Sequence, residues 1–379
     1  MSSERRFIPL AEPDLRGNEQ AYLCECIRSG WVSSSGSFVT DMEGRLAQLV
    51  DTKYAVATSS GTTALQLLLA AIGIKRDDRV IVPDWTFAAT INAVIHAGAV
   101  PVIVDVHPDH WSLDADLVDV ELGETKRSGG AIGAVIVVDP MGLPADVDAL
   151  IEVCRRHGVP LIEDAAGSLS SLYRGKPTGG LTDAGILSFN GNKLVTGGGG
   201  GAIVTNREDW ANRARHLSTQ ARDGDRYAYD EAGFNYRLTN LNAAVVVAQL
   251  ERMDEMRKMR RAIAAAYNDA LAGRDDLKQA PAPNWADWNA WMYVVKTASA
   301  AEADRLTAHM HSQGIGARPF WQRLSEQRPY QAYRCRLKGV SERLSGTLVS
   351  LPCSSNLNTT EINRVIAALA SWRGKPLAW

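Results

Sequence analysis

The sequence has little of what several classes of protein require. Its 379 residues include five cysteines, odd in number, scattered and without metal-like spacing, and none of the seven histidines falls in a motif. The 41 basic and 43 acidic residues leave a net charge of -2, which gives no basic field for nucleic acid. No apolar run approaches the roughly 18 residues that span a bilayer, and the N-terminal MSSERRFIPLAEPD has no apolar signal region. We therefore predict a cytoplasmic protein with no metal, nucleic-acid or membrane partner.

What the sequence does have is a rhythm of short β-branched runs separated by amphipathic helical stretches. The runs are YAVAT (54–58), RVIVP (79–83), PVIVDV (101–106), AVIVV (134–138), PLIED (160–164), GILSF (185–189) and GAIVT (201–205). Buried runs of this kind, alternating with helices, are typical of a parallel sheet that is covered on both faces. The pattern predicts an α/β domain on a mostly parallel sheet.

The rhythm changes at about residue 240. A long helical pattern runs from LNAAVVVAQLERM to YNDALAG, and the proline-spaced APAPNWADWN follows it. Beyond it, WMYVVKT, LVSLP and two helical stretches suggest a small α+β domain of roughly 100 residues. We predict a large domain over 1–240, a connecting helix over 241–280 and a small domain over 281–379.

Residues that follow the strands matter most for function, because open parallel sheets bind ligands beyond the carboxyl ends of their strands. In TSSGTTAL, Ser60, Gly61 and Thr62 lie where the first run meets a helix. Free N–H groups and the helix dipole suit a phosphate there. The alternative is an ordinary helix N-cap, which serine and threonine supply in many proteins.

Two more strand ends carry chemistry. Asp164 of LIEDAAG ends a buried strand, where a carboxylate needs a partner such as a protonated ring nitrogen; a helix cap is the alternative. In LSFNGNKLVTGGGGG, Lys193 lies between Ser188 and five consecutive glycines. A strand-end crevice would let its amine lose a proton and act as a nucleophile, although most lysines are solvated. Together, a phosphate cradle, an acid and a lysine describe a pyridoxal phosphate site.

An ordered series of segments resembles the DegT/DnrJ/EryC1/StrS sugar aminotransferases, which have the PLP-dependent transferase fold type I. The segments are GWVSSSGSFVTDMEGRLAQLV, SSGTTALQLLL, VPDWTFAATINAV, LIEDAAG, LSFNGNKLVTGGGGG, GFNYRLTNLNAA, ARPFWQ and SLPCSSNL. They extend over nearly the whole chain. The resemblance therefore implies the fold, the cofactor and a set of site residues.

The resemblance implies a role for each matching position. Lys193 would bond covalently to pyridoxal phosphate, and Asp164 would pair with its pyridine nitrogen. Phe87 would stack on the ring. The phosphate would be held by Ser60, Gly61, Thr62 and Ser188. Asn235 and Arg237 of GFNYR would reach the site of a second subunit, which implies a homodimer with shared active sites; packing within their own chain is the alternative.

The substrate is expected to be a nucleotide-linked 4-keto-6-deoxysugar, aminated at C4 with L-glutamate as the donor. GWVSSSG and SFNGNK resemble the branch that includes perosamine synthases and the legionaminic and bacillosamine pathway enzymes. Residues assigned to substrate are Trp31, Ser33, Trp85, Asn192, Arg237 and Arg318. A place in the core is the alternative for the two tryptophans, and a surface ion pair for Arg318.

Two features of the sequence leave the function open. The family's rPFWxPLH pattern here reads RPFWQRLS, with Arg323 and Ser325 in place of proline and histidine, and this segment usually borders the sugar nucleotide. A regulator or sensor that keeps the fold but has lost turnover is the second hypothesis. Lys193 and Asp164 favour catalysis, because a sensor needs no nucleophile matched to an electron sink.

Overall fold

The computed structural model describes residues 6–224 and 226–377. The helices are α1 (Glu19–Ser29), α2 (Ser37–Leu49), α3 (Gly61–Ala71), α4 (Ala88–His96), α5 (Ala115–Arg127), α6 (Val147–His157), α7 (Glu208–Ser218), α8 (Asn240–Leu250), α9 (Met253–Leu271), α10 (Ala300–Ser312), α11 (Val340–Leu344) and α12 (Thr359–Ser371). The strands are β1 (Tyr54–Thr58), β2 (Arg79–Pro83), β3 (Val100–Val104), β4 (Ile132–Val138), β5 (Leu161–Asp164), β6 (Leu172–Tyr173), β7 (Lys176–Pro177), β8 (Ala184–Ser188), β9 (Gly201–Thr205), β10 (Lys278–Gln279), β11 (Ala286–Asp287), β12 (Tyr293–Lys296), β13 (Arg318–Pro319), β14 (Cys335–Arg336) and β15 (Leu348–Leu351).

One eight-stranded sheet has the order β1-β9-β8-β5-β4-β2-β3-β14. All seven predicted runs form strands of this sheet, within a residue or two of the predicted bounds. Strand β9 is antiparallel to both β1 and β8, whereas the other neighbours are parallel. The predicted α/β class with a mostly parallel sheet is therefore confirmed.

Helices cover both faces of this sheet, which explains why its strands are continuously apolar. Along β2, the side chains of Val80 and Val82 enter the cluster that contains the apolar residues of α3, α4 and α7. Ile81 between them points to the opposite face, into the cluster with α5 and α6. Alternate residues of a strand face opposite sides, so a strand buried on both sides needs an unbroken apolar run.

A second, four-stranded sheet has the order β10-β12-β15-β13. Its apolar face packs against α9, α10 and α12 in a core that includes Tyr267, Tyr293 and Leu306. The helical pattern after residue 240 forms two helices rather than one, because α8 ends at Leu250 and α9 begins at Met253. The predicted domain bounds remain predictions.

The segment after residue 330 returns to the large sheet. Strand β14 pairs in parallel with β3 and forms an outer strand of that sheet. Arg334 and Arg336 in this segment form ion pairs with Glu121 and Glu124 of α5. The C-terminal third of the chain is thus joined to the large sheet as well as to its own.

Within residues 6–224 and 226–377, no helix combines the length and the apolar character needed to cross a membrane.

Candidate active site

A cavity of about 680 Å³ opens beyond the carboxyl ends of β5 and β8, beside the first turn of α3. The structure brings nine of the predicted site residues to its wall. They are Ser60, Gly61, Thr62, Phe87, Asp164, Ser188, Asn192, Lys193 and Arg318. Residues from five separate parts of the chain therefore meet in one cavity.

The first turn of α3 forms one wall. Ser60 caps the helix: its hydroxyl accepts from the Thr63 amide at 3.1 Å, and its own amide donates to the Thr63 hydroxyl at 2.9 Å. The capping alternative for Ser60 is thus realised, and the same residue also lines the cavity. Gly61 lies against Ser188, since a Cβ at position 61 would come within 2.8 Å of the Ser188 Cβ. Because Gly61 has no side chain, the N–H groups at the positive end of the helix stay accessible to an anionic group.

The glycine run after Lys193 allows the start of β9 to pass against this turn. Gly200 has a φ of +117°, in the range that favours glycine. A Cβ at Gly201 would lie 2.5 Å from the Ser60 carbonyl carbon and 2.6 Å from the Gly61 amide nitrogen. Backbone packs on backbone here, so a side chain cannot be accommodated without moving the wall of the cavity.

We expect Gly201→Ala to destabilise the protein by about 2–3 kcal/mol, because the added methyl group would collide with backbone that cannot rotate away. Chemical unfolding of the cofactor-free protein measures the change. Gly191→Ala is the matched control, because a Cβ at Gly191 would meet nothing within 4 Å. Equal stability of the two variants would contradict the steric role of Gly201.

Asp164 lies at the end of β5 with its carboxylate buried against the cavity. Its Oδ2 accepts from the Thr90 hydroxyl at 2.8 Å, and its Oδ1 accepts from the Ala166 amide at 3.2 Å. Burial raises the pKa of Asp164, while the Thr90 hydrogen bond and the positive charge of Lys193 act in the opposite direction. A turn rather than a helix follows the strand, so Asp164 does not cap a helix.

The amine of Lys193 is surrounded by protein, although the residue keeps some surface toward the cavity. Burial lowers the pKa of this amine from its usual 10.5 to about 7, and the nearby Asp164 partly opposes the shift. About half of such an amine is neutral at pH 7, and most of it is neutral one pH unit higher. It is therefore available as a nucleophile or a proton acceptor near neutrality.

This lowered pKa predicts a pH-dependent stability. Between pH 7 and about 10.5 the unfolded chain keeps a proton that folded Lys193 has lost, so the free energy of unfolding rises with pH in that window. Methionine carries no proton, so Lys193→Met should be about 1–3 kcal/mol more stable than wild type at pH 7 in cofactor-free protein, with a gain that shrinks toward pH 10. Denaturant unfolding at several pH values measures it. Lys176→Met is the control, because Lys176 is exposed. If the difference in stability between Lys193→Met and wild type stayed constant with pH, the burial of the Lys193 charge would be contradicted.

Three other predicted residues also face the cavity. The ring of Phe87 is 60% exposed at its mouth, at the start of α4. Asn192 precedes the lysine. The guanidinium of Arg318 on β13 makes no ion pair within the described parts of the chain, so the surface ion-pair alternative is not what the structure has. An unpaired arginine at the rim is suited to an anionic substrate group.

The structure places the other predicted residues away from this cavity. Trp85 is a correction: its indole is buried against Trp111, Phe320 and Trp321, and its Nε1 donates to the Trp321 carbonyl at 3.3 Å. The alternative of a place in the core therefore holds for Trp85, which lies two residues after β2 with its indole in the interior. It supports two residues of the cavity wall, Phe320 and Trp321, from behind.

Arg237 is also engaged within its own chain, where Nη1 forms an ion pair with Glu43 Oε1 at 2.5 Å. Asn235 is exposed and does not line the cavity of its chain. The side chains of Trp31 and Ser33 are likewise exposed, while their carbonyls accept from Asn240 at 2.8 and 2.6 Å. None of these four residues lines the cavity of its own chain, so their roles in binding substrate or cofactor remain predictions.

Sequence reasoning missed several residues of the site. Trp291 lies under the Lys193 amine, Thr90 holds Asp164, and Phe320 and Trp321 line the cavity. The helical spacing of Thr90 three residues after Phe87 was the one available signal for its position. Trp291 gave none, because only tertiary folding brings its segment to the lysine. Phe320 and Trp321 lie in the RPFWQRLS segment, for which the family resemblance implied a place beside the sugar nucleotide.

The unusual Ser325 has a clear structural role. Asp84, just after β2, accepts from the Ser325 amide at 2.7 Å, from its hydroxyl at 3.0 Å and from the Ser341 hydroxyl at 2.6 Å. Arg323 forms ion pairs with Glu326 and Glu342. The segment after Trp321 is thus fastened to the large sheet.

Comparison with known proteins matches residues 13–370 to the DegT/DnrJ/EryC1/StrS aminotransferase family. EpsN of Bacillus subtilis, which is named as a pyridoxal phosphate-dependent aminotransferase, is 38% identical over 96% of this chain and 95% of its own. GDP-perosamine synthase of Caulobacter vibrioides is 37% identical over 96% and 97%. The solved structure of S. venezuelae DesV is 30% identical, with a TM-score of 0.88 over 97% and 99% of the two chains.

Proposed function

This chain belongs to the DegT/DnrJ/EryC1/StrS aminotransferase family and is a pyridoxal phosphate-dependent aminotransferase, and we propose that it transfers an amino group from L-glutamate to C4 of a nucleotide-linked 4-keto-6-deoxysugar. The observation that carries the proposal is the shared cavity of Lys193 and Asp164, next to a helix N-terminus. The similarity to GDP-perosamine synthases supports the sugar substrate.

The residues present fit the cofactor. The first turn of α3 offers backbone N–H groups and hydroxyls to a phosphate, a buried carboxylate faces the cavity, and a lysine with a pKa of about 7 lines it. Pyridoxal phosphate, when bound, supplies an electron sink and carries the amino group between the two substrates. Its phosphate would be held by Ser60, Gly61, Thr62 and Ser188, and its ring would be covered by Phe87.

The protein residues would then divide the remaining work. Asp164 would hold a proton on the pyridine nitrogen, and Thr90 would keep that carboxylate oriented. As a general acid–base, Lys193 would move a proton between the C4′ carbon of the cofactor and the reacting carbon of each substrate in turn. Arg318 would bind a carboxylate or diphosphate, because a guanidinium binds both in a bidentate manner.

The substrate proposal is tested with a panel of 4-keto-6-deoxy nucleotide sugars carrying GDP, UDP or dTDP. With L-glutamate as the donor, we expect one sugar of the panel to be converted to its 4-amino product, and one molecule of 2-oxoglutarate to form for each molecule of amino sugar. The panel also includes 3-keto-6-deoxy isomers, and amination of these with no amination of the 4-keto sugars would contradict the assignment to C4. If glutamate bleaches the yellow colour of the bound cofactor but no amino sugar forms, the substrate lies outside this class. If glutamate does not react at all, the sensor hypothesis is favoured.

The homodimer with shared sites is tested by mixing two inactive variants, Lys193→Ala and Asn235→Ala. If Asn235 serves the site of the partner, each mixed dimer contains one site with both residues intact, and up to half of the activity of a wild-type dimer should return. Lys193→Ala mixed with Asp164→Asn is the matched control, since both residues line one cavity of the same chain and no intact site can form. Verified mixed dimers that stay inactive would contradict the sharing of Asn235.

A further inference from the structure

The indole ring of Trp291 lies directly under the amine of Lys193. The Nζ atom is 3.6 Å from the ring centroid, within the range of a cation–π contact. Among residues 6–224 and 226–377, the Lys193 amine makes no hydrogen bond or ion pair. The face of the indole is therefore its immediate electrostatic partner in this structure.

Trp291 is held firmly in this position. Its Nε1 donates to the Asn192 carbonyl at 2.9 Å, which ties the ring to the residue before the lysine. Its backbone amide donates to Asn289 Oδ1 at 2.9 Å, and its carbonyl accepts from Arg260 Nη1 at 2.8 Å. A Cβ at Gly167 would lie 2.1 Å from the ring, so the ring fills the space that any larger residue at 167 would need.

A free lysine amine in this cavity needs such a partner. Burial disfavours its charged form, and Asp164 is the acidic group whose charge acts on it. In the proposed function, that carboxylate faces the cofactor nitrogen. An ammonium group that carries the proton in transit would then depend on the ring quadrupole, which favours a cation at the face of an aromatic ring.

We propose that Trp291 is a positioning residue whose indole face holds the ε-ammonium group of Lys193 whenever the amine is not bonded to the cofactor. The inference rests on the proposed aminotransferase function, in which the lysine is alternately bonded and free. It does not depend on which sugar is the substrate. In this role Trp291 stabilises the protonated amine and keeps it near the reacting atoms.

The test measures the pKa of Lys193 in cofactor-free protein without substrate. The rate of acylation of Lys193 by acetic anhydride is followed against pH, with the modified lysine identified by mass spectrometry. Trp291→Leu removes the aromatic face and should lower this pKa by about one unit, because the charged form loses its partner. Trp291→Phe keeps a weaker face but loses the Nε1 hydrogen bond, and should give a smaller shift in the same direction.

Trp288→Phe is the matched control, since the Trp288 Nε1 donates to the Met141 carbonyl at 3.0 Å and its ring packs near Tyr293. It should leave the Lys193 pKa unchanged. Equal shifts in the Phe and Leu variants would assign the effect to the Nε1 bond, and an unchanged or raised pKa in Trp291→Leu would also overturn the proposal.

A second measurement keeps the test valid if Trp291→Leu does not fold. Fluorinated tryptophan weakens the negative potential of the ring face and nearly keeps its shape. Its incorporation should lower the Lys193 pKa in wild type but not in Trp291→Phe, where position 291 carries no indole. Equal responses of the two proteins would contradict a role for this face. Because neither experiment uses sugar or glutamate, a failed sugar assay and a failed Trp291 test are independent outcomes.

Discussion

Replacing Lys193 with alanine is expected to abolish transamination, with a loss of turnover of about 10⁴-fold or more. The variant loses the nucleophile that would bond to the cofactor and the base that would move the proton. The phosphate and ring contacts at Ser60, Gly61, Thr62, Ser188 and Phe87 would remain. Lys193→Ala should therefore still bind pyridoxal phosphate, but borohydride should trap no covalent adduct.

Lys176→Ala is the control, because Lys176 is exposed and lies outside the cavity. It should keep both turnover and the trapped adduct. Peptide mapping after borohydride treatment of the wild-type protein identifies the modified lysine. An adduct on any other lysine would overturn the assignment.

Asp164→Asn is expected to slow turnover by on the order of 10²- to 10³-fold with little change in stability. An amide is nearly the same size as a carboxylate and can still accept from Thr90, so the fold should persist. It carries no negative charge, so it cannot keep a proton on the cofactor nitrogen, and the electron sink weakens. Single-turnover rates with glutamate measure the loss, and trapping of the cofactor on Lys193 should remain.

The matched control is Asp183→Asn, an exposed aspartate that precedes β8 at the opposite end of the same strands. Its Oδ2 accepts from the Leu161 amide at 2.9 Å, a contact that an asparagine oxygen can also make. It should leave the rate unchanged. Normal turnover of Asp164→Asn would mean that Asp164 only orders the turn after β5.

The strands of the large sheet could be predicted because each is a local signal. A strand covered on both faces must be apolar at nearly every position, and a run such as RVIVP shows this pattern within five residues. Strand β14 could not be predicted, since Cys335 and Arg336 pair with β3 more than 200 residues earlier along the chain. The break between α8 and α9 was also missed, because the helical periodicity continues through it.

The same distinction applies to the site. Ser60, Asp164 and Lys193 lie at the carboxyl ends of strands or within five residues of them, so the topology of a parallel sheet predicts that they meet. Trp291 reaches the lysine from the segment just before β12 of the second sheet, and the sequence around it says nothing about that contact. Trp85 was predicted to contact the substrate, with a place in the core as the alternative, and the sequence could not decide between them because the direction of its side chain depends on the core that it joins.

Strand β14 also covers an edge of the large sheet that could otherwise pair with another chain. Until residues 335–336 are synthesised and paired, the outer edge of β3 presents unsatisfied backbone groups beside an apolar sheet, which is a template for joining another chain. The ion pairs of Arg334 and Arg336 with α5 then place charge along the finished edge. A nascent or truncated chain without this short segment would therefore expose an aggregation-prone edge.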